Sequence, residues 1–198
     1  MSTIRIRPGI RADIPVLLEI YNYEVLHGTA TLDIHPRTME QWEEWFNEHG
    51  KENHPLLVAE IEDDAAQQDT GRTAGNAAQQ GVGSIAGNEA QQGTGRIAGY
   101  ATLSSYRTKE AYASTVELSV YIAPDLRRRG VASRLMEEIL KLAREDERTH
   151  LVVSVITSGN EASAALHNKF GFTFAGNIPE AGVKFGEYQG IDQYYLIV

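Results

Sequence analysis

A 12-residue unit recurs three times between positions 62 and 97: EDDAAQQDTGRT, AGNAAQQGVGSI and AGNEAQQGTGRI, each with Ala-Gln-Gln at the same offset. Seven glycines and six glutamines fill these 36 residues, and Val82, Ile85 and Ile97 are their only large apolar side chains. A stretch so poor in apolar surface cannot offset the entropy of ordering itself. Solenoid stacking would need an apolar position in every turn, so the repeat reads as a flexible surface excursion. Before it, Pro55-Leu56-Leu57-Val58-Ala59-Glu60-Ile61 has the make-up of a strand, and after it Ala98-Gly99-Tyr100-Ala101-Thr102-Leu103 has another. The repeat thus lengthens the turn of a β-hairpin, at an entropic cost that grows only logarithmically. The fold must accept such an interruption, and 198 − 36 = 162 residues remain to build it, the size of one domain spanning 1–198.

Composition removes several function classes. At 42% hydrophobic the chain can bury a core, while 18 Lys+Arg against 27 Asp+Glu give a formal charge of −9. That sign argues against a general nucleic-acid binder, whose affinity comes from neutralising phosphates. Zero cysteines exclude disulfides, thiolate metal sites and a cysteine nucleophile, and suit a reducing compartment. The charged start, Met1-Ser2-Thr3-Ile4-Arg5-Ile6-Arg7, does not read as a signal peptide, and no run of 18 apolar residues could span a membrane. The expectation is a soluble cytoplasmic protein without nucleic-acid or membrane partners. His27, His35, His49, His54 and His150 show no metal-ligand spacing, so no metal is expected.

The remaining elements alternate. Ile4 and Ile6 mark a strand, and Asp13 can cap a helix that opens at Pro15 and runs towards Gly28. Thr38-Met39-Glu40-Gln41 is a capping box before Trp42, Trp45 and Phe46, which read as helix-packing residues rather than a ligand cage. After the hairpin come a strand at 115–122, a helix at about 130–145, a strand at 150–156, a helix near 160–170, and strands around 171–176 and 192–198. The pattern predicts a mixed α/β (α+β) sheet with neighbouring strands early and a βαβ unit late.

The junction after the 115–122 strand carries the strongest chemical signal. Ala123-Pro124-Asp125-Leu126 makes a turn, and Arg127-Arg128-Arg129-Gly130-Val131-Ala132 opens a helix. Helix N-termini offer unpaired N–H groups and partial positive charge, and Gly130 and Ala132 let a pyrophosphate approach the backbone. On the residues alone, an anion site and a basic solvated turn stand level.

RRRGVA resembles the Q/R-x-x-G-x-G/A pattern of the GCN5-related N-acetyltransferases (GNAT), which hold the pyrophosphate of acetyl-CoA in that loop. Asn160-Glu161-Ala162-Ser163-Ala164-Ala165-Leu166-His167-Asn168-Lys169-Phe170-Gly171-Phe172 is similar to a second motif of that family, with His167 where the family has tyrosine. Thr29-Ala30-Thr31-Leu32 with Pro36-Arg37-Thr38, Tyr106-Arg107-Thr108-Lys109 through Tyr112, Val116-Glu117-Leu118-Ser119-Val120-Tyr121-Ile122, and Gly182-Val183-Lys184-Phe185-Gly186 with Asp192 resemble the phosphinothricin and methionine sulfoximine branch. Tyr188-Gln189-Gly190-Ile191 departs from that branch, and the repeat is foreign to it.

The resemblance implies a GNAT fold, acetyl-CoA as co-substrate, a homodimer, and roles for named residues. Glu117 becomes the base that takes a proton from the substrate ammonium. Read alone, it alternates with Val116 and Leu118 on a strand and stays either a costly buried carboxylate or a solvated one. The donor would lie against Val120, Tyr121, Ile122, Arg127, Arg128, Arg129, Gly130, Val131, Ala132, Ser133 and Asn160, with backbone N–H groups near Val120 and Ile122 stabilising an oxyanion. His167 either donates to the CoA thiolate or is a structural histidine, and Asn160 either contacts the pantetheine arm or caps its helix. Arg107 and Lys109 could anchor a carboxylate or form an ordinary basic loop, and Thr31, Tyr112 and Lys184 complete the expected substrate side.

The expected reaction is acetyl transfer from acetyl-CoA to the α-amino group of a small amino acid or analogue, by direct attack in a ternary complex since no cysteine can carry the acyl group. Alternatives are an acetyltransferase for a polyamine or protein N-terminus, and a catalytically silent CoA-binding module.

Overall fold

A computed structural model describes residues 3–62 and 95–198, so the repeat lies, apart from its outermost positions, outside the described residues. The strands beside it reach further than the sequence suggested. The second ends at Glu62 and the third begins at Arg96, because Ile61 pairs with Arg96 and Glu60 with Ile97, whose side chain packs on the core.

The elements are β1 (Thr3–Pro8), α1 (Ile14–His27), α2 (Met39–Asn47), β2 (Leu56–Glu62), β3 (Arg96–Ser105), β4 (Thr115–Ile122), α3 (Val131–Glu145), β5 (Leu151–Thr157), α4 (Glu161–Lys169), β6 (Thr173–Lys184) and β7 (Glu187–Ile197). The expected mixed α/β architecture holds: one seven-stranded sheet in the order β1-β2-β3-β4-β5-β7-β6, antiparallel except for β4 and β5. Among the described residues no helix is long and apolar enough to cross a membrane.

Apolar periodicity builds α3: Val131, Leu135, Met136, Ile139, Leu140 and Ala143 are buried at helical spacing, and the helix packs along β1 to β4. On the other face of the sheet, α1 brings Tyr21 edge-on to Tyr121, and Tyr121 stacks on Tyr100 of β3. The Thr38 capping box forms as expected: the Gln41 N–H donates to Thr38 Oγ1 and the Thr38 N–H to Gln41 Oε1.

Two expectations need correction. Asp13 does not cap α1. Its carboxylate takes both Arg7 Nη groups, at 2.7 and 2.8 Å, and Arg7 also reaches Glu60, so one guanidinium neutralises two buried carboxylates. The C-terminal strands are also far longer than the predicted 171–176 and 192–198. Their hairpin exposes Phe174, Ile178, Val183, Phe185 and Tyr188, so neither face shows the alternation that sequence reading requires.

The feature that positions the site is a divergence. β4 and β5 pair only at Thr115–Leu151, Val116–Val152 and Glu117–Val153. Beyond that β4 follows β3 to Ile122 and β5 follows β7 to Thr157, which opens a wedge in the sheet.

Candidate active site

The wedge exposes backbone. The Ala123 N–H bonds to Ala98 O of β3 at 2.8 Å. Alternation along a strand then turns the N–H groups of Leu118, Val120 and Ile122 towards the gap that β5 has left. A groove of about 710 Å³ fills this gap, walled by Leu118 to Ile122 on one side and Ser154 to Thr157 on the other. At its end lies the turn into α3. Gly130 sits there at φ +84°, a left-handed conformation that favours glycine, and Arg128 at φ +60° is left-handed too. Among the described residues no side chain caps α3, so its first N–H groups face the groove, an arrangement suited to phosphate oxygens.

Of the expected donor-side residues, Val120, Tyr121, Ile122, Arg127, Arg128, Gly130, Val131, Ala132, Ser133 and Asn160 line this groove, and Arg129 does not. The three arginines are thereby distinguished. Arg127 is tied to the buried Glu24 carboxylate, which leaves Arg128 as the groove arginine that pairs with no carboxylate among the described residues. Asn160 does cap α4, its Oδ1 accepting the Ser163 N–H at 3.1 Å, and it lines the groove as well. The capping reading of Asn160 therefore holds.

His167 is 4% exposed and also lines the groove. Its Nδ1 lies 2.7 Å from Ser163 O, and because a carbonyl only accepts, the ring proton is on Nδ1. Burial lowers its pKa, with the Ser163 bond opposing, so the ring is neutral near pH 7. Nε2 is buried with no hydrogen-bond partner among the described residues, an acceptor rather than the donor that the sequence reading invoked.

A second cavity, about 350 Å³, lies on the α1–α2 side of the sheet and is lined by Glu117. The Glu117 carboxylate makes no side-chain hydrogen bond among the described residues, and burial raises its pKa. Around it stand Thr31, Arg37, Gln41, Trp42, Trp45 and Ser104. Ser119 and Tyr121 line both this cavity and the groove, so the two spaces meet next to Glu117 on β4.

Arg37, part of the Pro36-Arg37-Thr38 stretch of the resemblance but given no role there, is the firmly held cation of this cavity. Its backbone is clamped by the Asn22 side-chain amide, which accepts the Arg37 N–H at 2.8 Å and donates to Arg37 O at 2.9 Å. Its Nε donates to Asp33 at 2.7 Å. Tyr21 Oη donates to the same Asp33 oxygen at 2.8 Å and lies 3.0 Å from Thr31 Oγ1. Burial disfavours the Asp33 carboxylate, but the bonds from Arg37 and Tyr21 outweigh that and hold its pKa below the ordinary value. Burial pushes the Tyr21 phenol up to about 12.

The expected cations are elsewhere. Lys184 is 2% exposed, and its Nζ donates to Glu24 O at 3.1 Å and Thr31 O at 2.7 Å. It fastens the segment after α1, of which Thr29 and Ala30 line the groove and Thr31 the second cavity. Arg107 lies over Tyr106 and Tyr112, at 4.9 and 5.8 Å from their ring centroids, and neither Arg107, Lys109 nor Tyr112 lines either cavity. Trp42 and Trp45 stack at 4.6 Å as packing residues should, but they are cavity wall too. Among the described residues no group of three or more His, Cys, Asp or Glu could hold a metal ion.

Residues 23–172 match the model of the acetyltransferase (GNAT) family. The chain belongs to that family. Within it, the chain is similar to a phosphinothricin N-acetyltransferase of Streptomyces coelicolor, 34% identical over 98% of this chain and 95% of the relative. It is also similar to an L-methionine sulfoximine/L-methionine sulfone acetyltransferase of Pseudomonas aeruginosa, 32% identical over 92% of this chain and 88% of the relative. Among solved structures, a chain described as an acetyltransferase from Salmonella typhimurium, determined with its cofactor acetyl-CoA, superposes with a TM-score of 0.78 at 26% identity, covering 98% of this chain and 94% of that one. The sequence-level GNAT resemblance is thereby established. The groove fits the GNAT donor on this structure's own terms: inward-facing strand amides, a left-handed glycine before an uncapped helix, and a partnerless ring nitrogen on the wall.

Proposed function

We propose that this GNAT chain is an acetyl-CoA-dependent N-acetyltransferase whose acceptor is a small amino acid or analogue of the phosphinothricin and methionine sulfone kind. The observation that carries the reading is the meeting of groove and cavity at Ser119 and Tyr121, beside a half-buried carboxylate with no side-chain partner among the described residues. Bound acetyl-CoA supplies the acetyl thioester and a thiolate leaving group. The amides of Gly130, Val131 and Ala132, with Arg128 and Ser133, hold its diphosphate, and Asn160 borders its pantetheine arm. The inward N–H groups of Val120 and Ile122 stabilise negative charge at the thioester oxygen.

On the acceptor side Glu117 removes the ammonium proton, for which its raised pKa suits it. Arg37, fixed through Nε to Asp33, presents its guanidinium to the acceptor's carboxylate or phosphinate. Thr31 steadies Arg37 through Tyr21 and Asp33. An anion-reading cavity of this kind speaks against a polyamine acceptor. Lys184 acts as a positioning residue, and Arg107, Lys109 and Tyr112 remain a basic-aromatic rim. His167 accepts a hydrogen bond in the groove and does not supply the thiolate's proton.

The chain is read as one domain with the 62–97 repeat as an insertion. We place it in the cytoplasm, in keeping with its lack of cysteine, and as a homodimer using the exposed apolar residues of the β6–β7 hairpin. Fractionation and sedimentation test those placements. The activity is tested by CoA release with L-methionine sulfone, phosphinothricin, spermidine and a short peptide. Turnover of the first two supports the reading, and turnover of only the last two defeats it.

A further inference from the structure

Ser104 on the wall of the acceptor cavity is hydrogen-bonded from behind by His49, a pair that the mechanism above leaves unused. His49, just beyond α2 and 8% exposed, has Nδ1 2.7 Å from Trp45 O and Nε2 2.8 Å from Ser104 Oγ. The Trp45 carbonyl can only accept, so the ring proton lies on Nδ1. Burial lowers the His49 pKa, against the pull of that bond, and the ring is neutral at pH 7. Nε2 then carries a lone pair, to which the Ser104 hydroxyl donates. Trp45 holds the imidazole in place, with ring centroids 4.3 Å apart. The consequence falls on Ser104: its single hydrogen is committed, so its oxygen offers only lone pairs to the cavity.

Ser104 and Glu117 are direct partners in the β3–β4 register, and both line the cavity. The alternation fixed by Ala123 points the Glu117 N–H at β3, which makes this a hydrogen-bonded pair with Cα atoms about 5.5 Å apart. Two acceptor groups therefore stand side by side where the acceptor nitrogen must arrive.

We propose that Ser104, locked by His49, accepts a hydrogen bond from the acceptor amine beside Glu117 and so aims the nitrogen lone pair, an inference that rests on the N-acetyltransferase reading. The ammonium gives one proton to the Glu117 carboxylate, and the electron pair of that broken N–H bond stays on nitrogen as its lone pair, beside two remaining N–H groups. The Ser104 oxygen accepts one of these, and no bond to Ser104 forms or breaks. An alcohol has one hydrogen, which Glu117 takes, so its oxygen lone pairs then face those of Ser104. The locked serine thus favours nitrogen over oxygen acceptors.

The experiment compares L-methionine sulfone with its 2-hydroxy counterpart, each with acetyl-CoA, in wild type, Ser104→Ala, Ser104→Thr and His49→Phe. Ser104→Ala should lower kcat/KM for the amine by about 5–30-fold, the worth of one hydrogen bond, with the acetyl-CoA KM within about twofold. The amine-to-alcohol preference should shrink with it. Ser104→Thr, which keeps the hydroxyl, should stay within about threefold of wild type, and a folded His49→Phe should lose most of what Ser104→Ala loses. An amine kcat/KM unchanged in Ser104→Ala, or equal losses in the Ala and Thr variants, overturns the proposal. If His49→Phe fails to fold, the Ala–Thr pair still decides. Wild-type silence on every amine is a different failure, that of the acetyltransferase reading, and it removes this inference as well.

Discussion

The donor groove and the acceptor cavity meet at two residues but are built by opposite strategies. The groove is made largely of backbone: strand amides uncovered by the parting of β4 and β5, and helix amides uncovered by the turn at Gly130. Its residues come mostly from three short stretches of chain, within 118–122, 126–133 (Arg129 excepted) and 154–167. The cavity is made of side chains drawn from the segment after α1, from α2, β3 and β4, each held by neighbours of its own. Backbone reads what all acyl-CoA donors share, whereas side chains read what distinguishes one amine from another. The donor site should therefore tolerate side-chain changes that abolish acceptor recognition.

The largest expected break in that comparison is at Glu117. Glu117→Gln should lower kcat by about 10²–10⁴-fold, the usual worth of a general base, and leave the calorimetric Kd for CoA unchanged. Burial raises the Glu117 pKa, so the acid limb of kcat/KM should lie above the ordinary carboxylate range and vanish in the variant. The stability sign follows. The native state keeps this proton to higher pH than the unfolded chain, so stability falls as pH rises through the window between the two pKa values. Glu117→Gln should accordingly raise Tm at neutral pH, an advantage that disappears below the ordinary glutamate pKa.

Next in size is Arg37. Arg37→Leu should raise the acceptor KM by about 10–100-fold, as losing a charge-assisted fork does, while the acetyl-CoA KM holds. Equal effects on both substrates would show that the cavity is not the acceptor site.

Within the groove the effects should be smaller and graded. Arg128→Ala should weaken CoA binding by about 3–10-fold, more at low salt, while Arg129→Ala stays within about twofold. Reversal of that order would mean that the turn presents its arginines differently from the geometry at Gly130.

The smallest effect is expected at the insertion. Replacing 63–94 by an Asn-Gly turn preserves the observed strand ends at Glu62 and Arg96 and should leave kcat within about twofold, since loop length costs little. Loss of activity would show that the segment belongs to the site.

The same contrast explains what could be read from the sequence. RRRGVA and the β4 alternation lie within 18 residues of chain, so periodicity, the turn and the helix start were visible together. Only Arg129 fell away, because a sequence shows three equal arginines where the fold turns one outward. Arg37 and Ser104 are 67 residues apart, and nothing local connects either to Glu117. Lys184 carried the opposite error: a lysine buried on two carbonyls looks, in a sequence, the same as one awaiting an anion. Asp13 was read as a cap because its true partner, Arg7, belongs to another element.

The central claim is that donor and acceptor occupy separate spaces at the same time and react where those spaces join. Initial rates with acetyl-CoA and L-methionine sulfone varied together address it most directly. Intersecting double-reciprocal lines, with no acetylated protein isolable from incubation with the donor alone, are the predicted result. Parallel lines accompanied by a stable acetyl-protein would contradict the account.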